Sequence, residues 1–141
     1  MVLLDTNVIS EAMRENATQR VIDWIDAQPV ETLYLSAITV AEICFGIAVL
    51  PAGKRRDRLE ERFERDILSA FTGRVLPFDI VASRNYAAIM ARAQAAGRAI
   101  GKADGYIAAI AASRNLMVAT RDVSPFEAAG LSVINPWADG G

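Results

Sequence analysis

The sequence predicts an α/β domain whose mostly parallel sheet is covered by helices on both faces, giving three layers. Three observations predict it. Short apolar runs of strand length recur along the chain, separated by segments with apolar residues at helical spacing. The runs are near-continuously apolar rather than alternating, as expected for strands buried on both faces. Glycine and proline punctuate the joins, at Pro29, Pro51, Gly53, Gly73, Pro77 and Gly97.

The elements follow in order. Val2 to Leu4 reads as a strand that breaks abruptly at Asp5-Thr6-Asn7, any of which could cap a short helix over Val8 to Met13. Thr18 to Ala27 is a second helix, with Val21, Trp24 and Ile25 on one face, and it ends before Pro29. Thr32 to Leu35 is a strand, and Ser36 caps a long apolar core helix reaching Leu50. Lys54 to Phe71 is a charged amphipathic helix with Leu59, Phe63, Ile67 and Leu68 as its apolar stripe. Its arginines, Arg55, Arg56, Arg58, Arg62 and Arg65, lie elsewhere among acidic partners. Arg74 to Leu76 is a short strand, Asp79 to Ala96 a helix, and Lys102 to Arg114 the next. Leu116 to Ala119 and Leu131 to Ile134 are strands flanking a helical turn over Phe126 to Ala129. The chain reads as one domain over residues 1–141, with a glycine-rich flexible tail at about 138–141.

Composition prunes the chemistry. The chain has no histidine, which removes Ser-His-Asp and Cys-His catalysis and histidine-based zinc sites. Its one cysteine, Cys44, lies among Ile43, Phe45 and Ile47 and reads as a small buried hydrophobe. Acid–base work therefore falls to carboxylates, lysine, tyrosine or a metal-activated water. No apolar run is long enough to span a bilayer, and the N-terminus lacks the pattern of a secretory signal, so a cytoplasmic location is the expectation. The net charge of -2 argues against coating a polyanion, and leaves room for a local basic patch.

Four acids have neighbours that do not suit solvated charges: Asp5, Glu42, Asp104 and Asp122. Each also has an ordinary reading, as a helix cap, an exposed helix position, a helix N-terminus or a turn. Topology unites them. A helix that follows a parallel strand begins at that strand's carboxyl end, and so does a helix that leads into one. All four acids then fall at one edge of the sheet, where open parallel sheets bind ligands. Converging carboxylates repel one another, and a divalent cation is the natural compensator. Oxygen donors without histidine or cysteine select Mg²⁺ or Mn²⁺.

The same residues resemble a known family. Leu4-Asp5-Thr6-Asn7-Val8-Ile9-Ser10-Glu11, Ala41-Glu42, Asp104-Gly105-Tyr106-Ile107-Ala108-Ala109 and Val118-Ala119-Thr120-Arg121-Asp122 are similar to the motifs of PIN-domain ribonucleases. More narrowly, the chain looks like the VapC toxins of type II toxin–antitoxin modules, in their FitB-like branch, through to Val133-Ile134-Asn135-Pro136-Trp137. The resemblance implies a PIN fold and a Mg²⁺- or Mn²⁺-dependent endoribonuclease. It also implies a homodimer held inactive by a VapB/FitA-like antitoxin, which contacts operator DNA and whose tail occupies the acidic cleft. Asp5, Glu42, Asp104 and Asp122 match the family's acidic positions; Asn7 and Thr120 match the supporting polar ones, and Thr6 is counted with them as a supporting residue. Many VapC toxins carry Thr-Arg-Asn with a further acid three residues on; here Asp122 and Pro125 stand at those places, so the fourth acid is assigned to Asp122.

The expected mechanism is phosphodiester hydrolysis by metal-activated water, leaving 5′-phosphate and 3′-hydroxyl ends. Lys102 and Arg121, near the acids in sequence, could hold the RNA backbone. One rival is a catalytically weak PIN-like module that acts mainly through antitoxin-mediated autoregulation on DNA. Another, a phosphatase with Asp5 as nucleophile, lacks the second acid two residues on, where Asn7 stands. Gly97 to Ala103 has neither the spacing nor the Ser/Thr of a phosphate-binding loop.

Overall fold

A computed structural model of the chain describes residues 1–138. The expected tail at 138–141 lies outside the described residues apart from Ala138. Five strands, β1 (Val2–Leu4), β2 (Leu33–Ser36), β3 (Val75–Leu76), β4 (Met117–Ala119) and β5 (Val133–Ile134), form one sheet in the order β3-β2-β1-β4-β5. Every neighbouring pair is parallel. The chain lays strands outward from β1 to β3, then returns to place β4 on the other side of β1. The resulting switch point lies between β1 and β4, where a crevice opens beyond the strands' carboxyl ends.

The pleat divides β1 between two cores. Val2 and Leu4 face a core with Leu33, Leu35, Val8, Ile9, Val21 and Phe63, whereas Leu3 faces one with Val118, Ile89, Ile107, Ile110 and Phe126. The first core is closed by α1 (Thr6–Ala12), α2 (Gln19–Ala27), α3 (Ala37–Ala48) and α4 (Lys54–Arg62). The second is closed by α5 (Ile80–Ala95), α6 (Lys102–Ser113) and α7 (Val123–Ala128). These are the three layers expected.

Local chemistry sets the element ends. Ser36 and Asp79 cap α3 and α5 by accepting from the Thr39 and Ala82 amides, at 3.0 and 2.9 Å. α1 starts earlier than its apolar period indicated, at Thr6, because Asp5 itself accepts from the Thr6 amide. The predicted helix over Lys54 to Phe71 changes pitch. After Arg62 it widens to a π turn over Phe63–Ile67 and tightens to a 3₁₀ turn over Leu68–Phe71, with Phe63 and Phe71 both buried.

One expectation is overturned. Cys44 is exposed, and α3 is a half-buried helix rather than a core helix. Only Thr39, Ile43 and Ile47, four residues apart, are buried. Cys44 sits about 100° around from Ile43 and turns outward with Phe45 and Val49, which are 69% and 62% exposed. Among the described residues no helix is long and apolar enough to cross a membrane.

The α5–α6 contact bears directly on Asp104. A Cβ added to Gly105 would lie 2.8 Å from the Met90 sulfur and 3.0 Å from Tyr86 Cε1, so any larger residue must displace the Met90 and Tyr86 side chains. The contact seats the first turn of α6, which carries Asp104. Gly105→Val is expected to destabilise the fold by about 1–3 kcal/mol through overpacking. The check is a urea unfolding midpoint; an unmoved midpoint would show that the helices separate freely.

Candidate active site

The crevice at the switch point is an open cleft of about 400 Å³. Asp5, Thr6, Asn7, Glu42, Asp104, Arg121 and Asp122 all line it. Asp5 follows β1, Glu42 stands on the α3 that follows β2, Asp104 opens α6, and Asp122 follows β4. Residues from four separate stretches of the chain thus converge through topology alone.

Asp5 is the anchor. Its amide donates to the Ala119 carbonyl at 2.9 Å, extending the β1–β4 ladder one step beyond the strand. Its carboxylate, only 4% exposed, accepts from the Thr6 amide through Oδ1 and from the Thr120 hydroxyl through Oδ2, both at 2.8 Å. Burial raises its pKa from 3.8 to about 6, against the lowering effect of those two hydrogen bonds and with a further push from Asp104 and Glu42. The Asp104 carboxyl is also held above its ordinary range, chiefly by burial and then by the charges of Asp122 and Glu42.

Thr120 is the hub beneath Asp5. Fully buried, its hydroxyl donates to Asp5 and accepts from Asn7 Nδ2 at 3.2 Å and from the Asp122 amide at 3.0 Å. Asn7 Oδ1 in turn accepts from the Arg121 amide at 3.3 Å. One β-branched residue thereby joins the turn after β1 to the turn after β4. Thr6 does the corresponding work for Glu42: its hydroxyl donates to Glu42 Oε1 at 2.7 Å and lies 3.0 Å from the Thr39 hydroxyl.

The acids differ in setting more than their neighbours in sequence indicated. Asp5 is buried and Asp104 half-buried, but Glu42 and Asp122 are exposed, so the local apolar context of Glu42 does not reflect enclosure. Asp122 sits at the start of α7 without using its carboxylate as a cap, which leaves that group available to the cleft. Lys102 opens α6, is exposed and does not line the cleft; Arg121 does.

Three cleft residues were missed: Glu11, Arg14 and Trp137. Glu11 is 5% exposed, and its carboxylate accepts from the Thr18 amide at 3.0 Å and pairs with Arg14 at 3.4 Å. The Thr18 amide is the main cause holding the Glu11 carboxyl below its ordinary range. Arg14, largely exposed, lines the cleft beside it. The signal was present: Ser10, Glu11 and Arg14 follow Asn7 by three, four and seven residues, the spacing of one helical face. Trp137 also lines the cleft, brought there by the turn after β5.

The donor set is suited to a hard divalent cation, being oxygen-only and over-supplied with negative charge. Among the described residues no three acids form a ready-made cage. Magnesium commonly sits on one or two carboxylates and keeps several waters, and an open cleft with Asp5 fixed at its floor fits that pattern.

Fold and site together define a parallel α/β domain with an acidic, histidine-free cleft at its switch point. The chain belongs to the PIN domain family, whose model matches residues 2–130. It is 62% identical over 137 residues to the VapC ribonuclease Y4jK of Sinorhizobium fredii, covering 97% of this chain and 98% of that one. It is 51% identical over 139 residues to the toxin FitB of Neisseria gonorrhoeae, covering 99% of this chain and 100% of that one. Among solved structures, the crystal structure of FitAcB from Neisseria gonorrhoeae superposes with a TM-score of 0.94 at 51% identity, over 97% of this chain and 99% of that one. The structure of FitAB bound to an IR36 DNA fragment gives the same TM-score, at 50% identity over 98% of this chain and 96% of that one.

Proposed function

We propose that this protein is the toxin of a type II toxin–antitoxin module, a Mg²⁺- or Mn²⁺-dependent endoribonuclease that acts in the cytoplasm. The observation that carries the reading is the convergence of Asp5, Glu42, Asp104 and Asp122 on one cleft, with Asp5 buried and fixed by Thr120. The high identity to a chain named VapC ribonuclease supports the reaction class. The likeness to FitB inside FitA-containing complexes, one of them DNA-bound, supports a FitA-like antitoxin that carries the contact with operator DNA. Assembly as a homodimer is part of the proposal, and the outward apolar face of α3 supports an associated state.

In this mechanism Asp5, Glu42 and Asp104 would hold a divalent cation, directly or through water, and Asp122 would complete the negative field. When bound, the ion supplies Lewis acidity toward the scissile phosphate and acidifies water for in-line attack. The chain's own residues do the positioning. Thr120 presents one Asp5 oxygen at fixed orientation and Thr6 steers Glu42 toward the same space. Arg14 and Arg121, on the cleft walls, offset the phosphate charge that the carboxylates would repel. Because water attacks rather than a ribose hydroxyl, the products carry 5′-phosphate and 3′-hydroxyl ends.

The test is cleavage of total cellular RNA by antitoxin-free protein with Mg²⁺ or Mn²⁺, against EDTA. Metal-dependent cleavage with 5′-phosphate ends is expected. Cyclic phosphate ends, or equal cleavage in EDTA, would sink the mechanism.

A further inference from the structure

Beside the carboxylates, Trp137 and Arg121 stand together on the cleft wall, and of this pair the proposed mechanism uses only the Arg121 charge. The Arg121 guanidinium lies over the Trp137 ring, 5.4 Å from its centroid. The indole is held firmly: the Trp137 amide donates to Asn135 Oδ1 at 2.9 Å, and its carbonyl accepts from Arg20 at 3.1 Å. Its ring packs against the same core as Val8 and Phe63. The indole N–H is buried without an acceptor among the described residues, so this tryptophan is placed for its ring and not for its polar end. Arg121 is exposed and lines an acidic cleft, yet no described carboxylate pairs with it. Because Arg121 is exposed, its guanidinium remains accessible from the cleft while it lies over the indole.

An open guanidinium plane is a surface on which unpaired nucleobases stack, and its edge matches phosphate. We infer that Arg121 and Trp137 form a stacking subsite for one unpaired nucleobase next to the scissile phosphate. This rests on the ribonuclease reading and narrows it, because a base held in a duplex cannot reach such a wall. Substrate is then selected as single-stranded RNA, and the subsite sets which side of a nucleotide is cut.

The test uses full-length, antitoxin-free protein carrying Trp24→Phe, so that Trp137 is the remaining tryptophan. Asp5→Asn is added for the binding measurements to suppress cleavage. A short single-stranded RNA is titrated against a series in which one abasic position is moved along the strand, with affinity and Trp137 fluorescence as readouts. One abasic position is expected to weaken binding by about 5- to 100-fold and to remove the fluorescence change. In Arg121→Gln, whose site is exposed and outside the core, that penalty shrinks toward none; Trp137→Phe keeps part of it. The inference is overturned if every abasic position is tolerated, or if the penalty persists undiminished in Arg121→Gln. If the Asp5 form of the protein cleaves RNA while either of these holds, the subsite alone fails. If that form neither cleaves nor binds RNA, the ribonuclease reading falls and takes the subsite with it.

Discussion

Asp5→Asn is expected to reduce RNA cleavage by about 10²- to 10⁴-fold, and to make the protein harder to unfold at neutral pH. On the proposed mechanism, the loss of activity follows from removing the best-fixed of the proposed cation ligands, which forfeits several kcal/mol of transition-state charge stabilisation. The gain in stability follows from the same burial. The Asp5 carboxyl titrates near 6 in the fold against an ordinary 3.8, a gap worth about 3 kcal/mol. Because the folded value is the higher one, the folded chain binds the proton more tightly. That stabilisation is fully present below about pH 4 and is lost as the pH rises through about 6. At neutral pH the fold carries a buried charge that the Thr6 and Thr120 hydrogen bonds offset only in part.

Asparagine removes the charge but not without cost. The Thr120 hydroxyl already accepts from Asn7 and Asp122, so an amide at position 5 loses one good hydrogen bond, worth about 1 kcal/mol. The net expectation is a rise in Tm of roughly 2–8 °C at pH 7.5, shrinking toward zero near pH 4.5. Thermal melts of both proteins at the two pH values check this, with and without Mg²⁺. Added Mg²⁺ should raise the Tm of the wild type and leave the variant nearly unmoved. If Asp5→Asn instead lowers the Tm at pH 7.5, Asp5 is a structural cap and not a strained, charge-bearing ligand.

Thr120→Val carries the second large effect, and here the fold and the chemistry fail together. Valine has nearly the same shape, but it strips Asp5 Oδ2 of its donor and leaves Asn7 Nδ2 and the Asp122 amide without their acceptor. Leaving such groups unsatisfied at a fully buried position should destabilise the protein by about 1–3 kcal/mol. Cleavage should fall by about 10- to 100-fold, the usual cost of losing a partner that orients a metal ligand. The pH profile separates this from general loosening. The Thr120 hydrogen bond lowers the Asp5 pKa, so its loss moves the acidic limb of the activity profile to higher pH. Thr120→Ser, which restores the hydroxyl, should bring the limb back. An acidic limb unchanged in Thr120→Val would show that Asp5 ionisation does not control the rate.

Much of this protein was legible in one dimension because its signals are local. β1, the Ser36 cap and the order of strands and helices follow from apolar period and capping chemistry, which act over a few residues. Placing the four acids at one sheet edge needed only the rule that helices before and after a parallel strand both begin at its carboxyl end. The direction of each side chain is another matter, since adjacent helical residues diverge by about 100°. Lys102 lies two residues before Asp104 and misses the cleft, and Cys44 lies one residue after buried Ile43 and faces out. In α3 nearly every residue is apolar, so no sequence contrast marked which face would be covered. The joining of the turns after β1 and β4 through Thr120, and the arrival of Trp137 beside Arg121, were decided by strand order. The Thr120 contacts unite residues from opposite ends of the chain, and only the packed sheet brings either pair within reach.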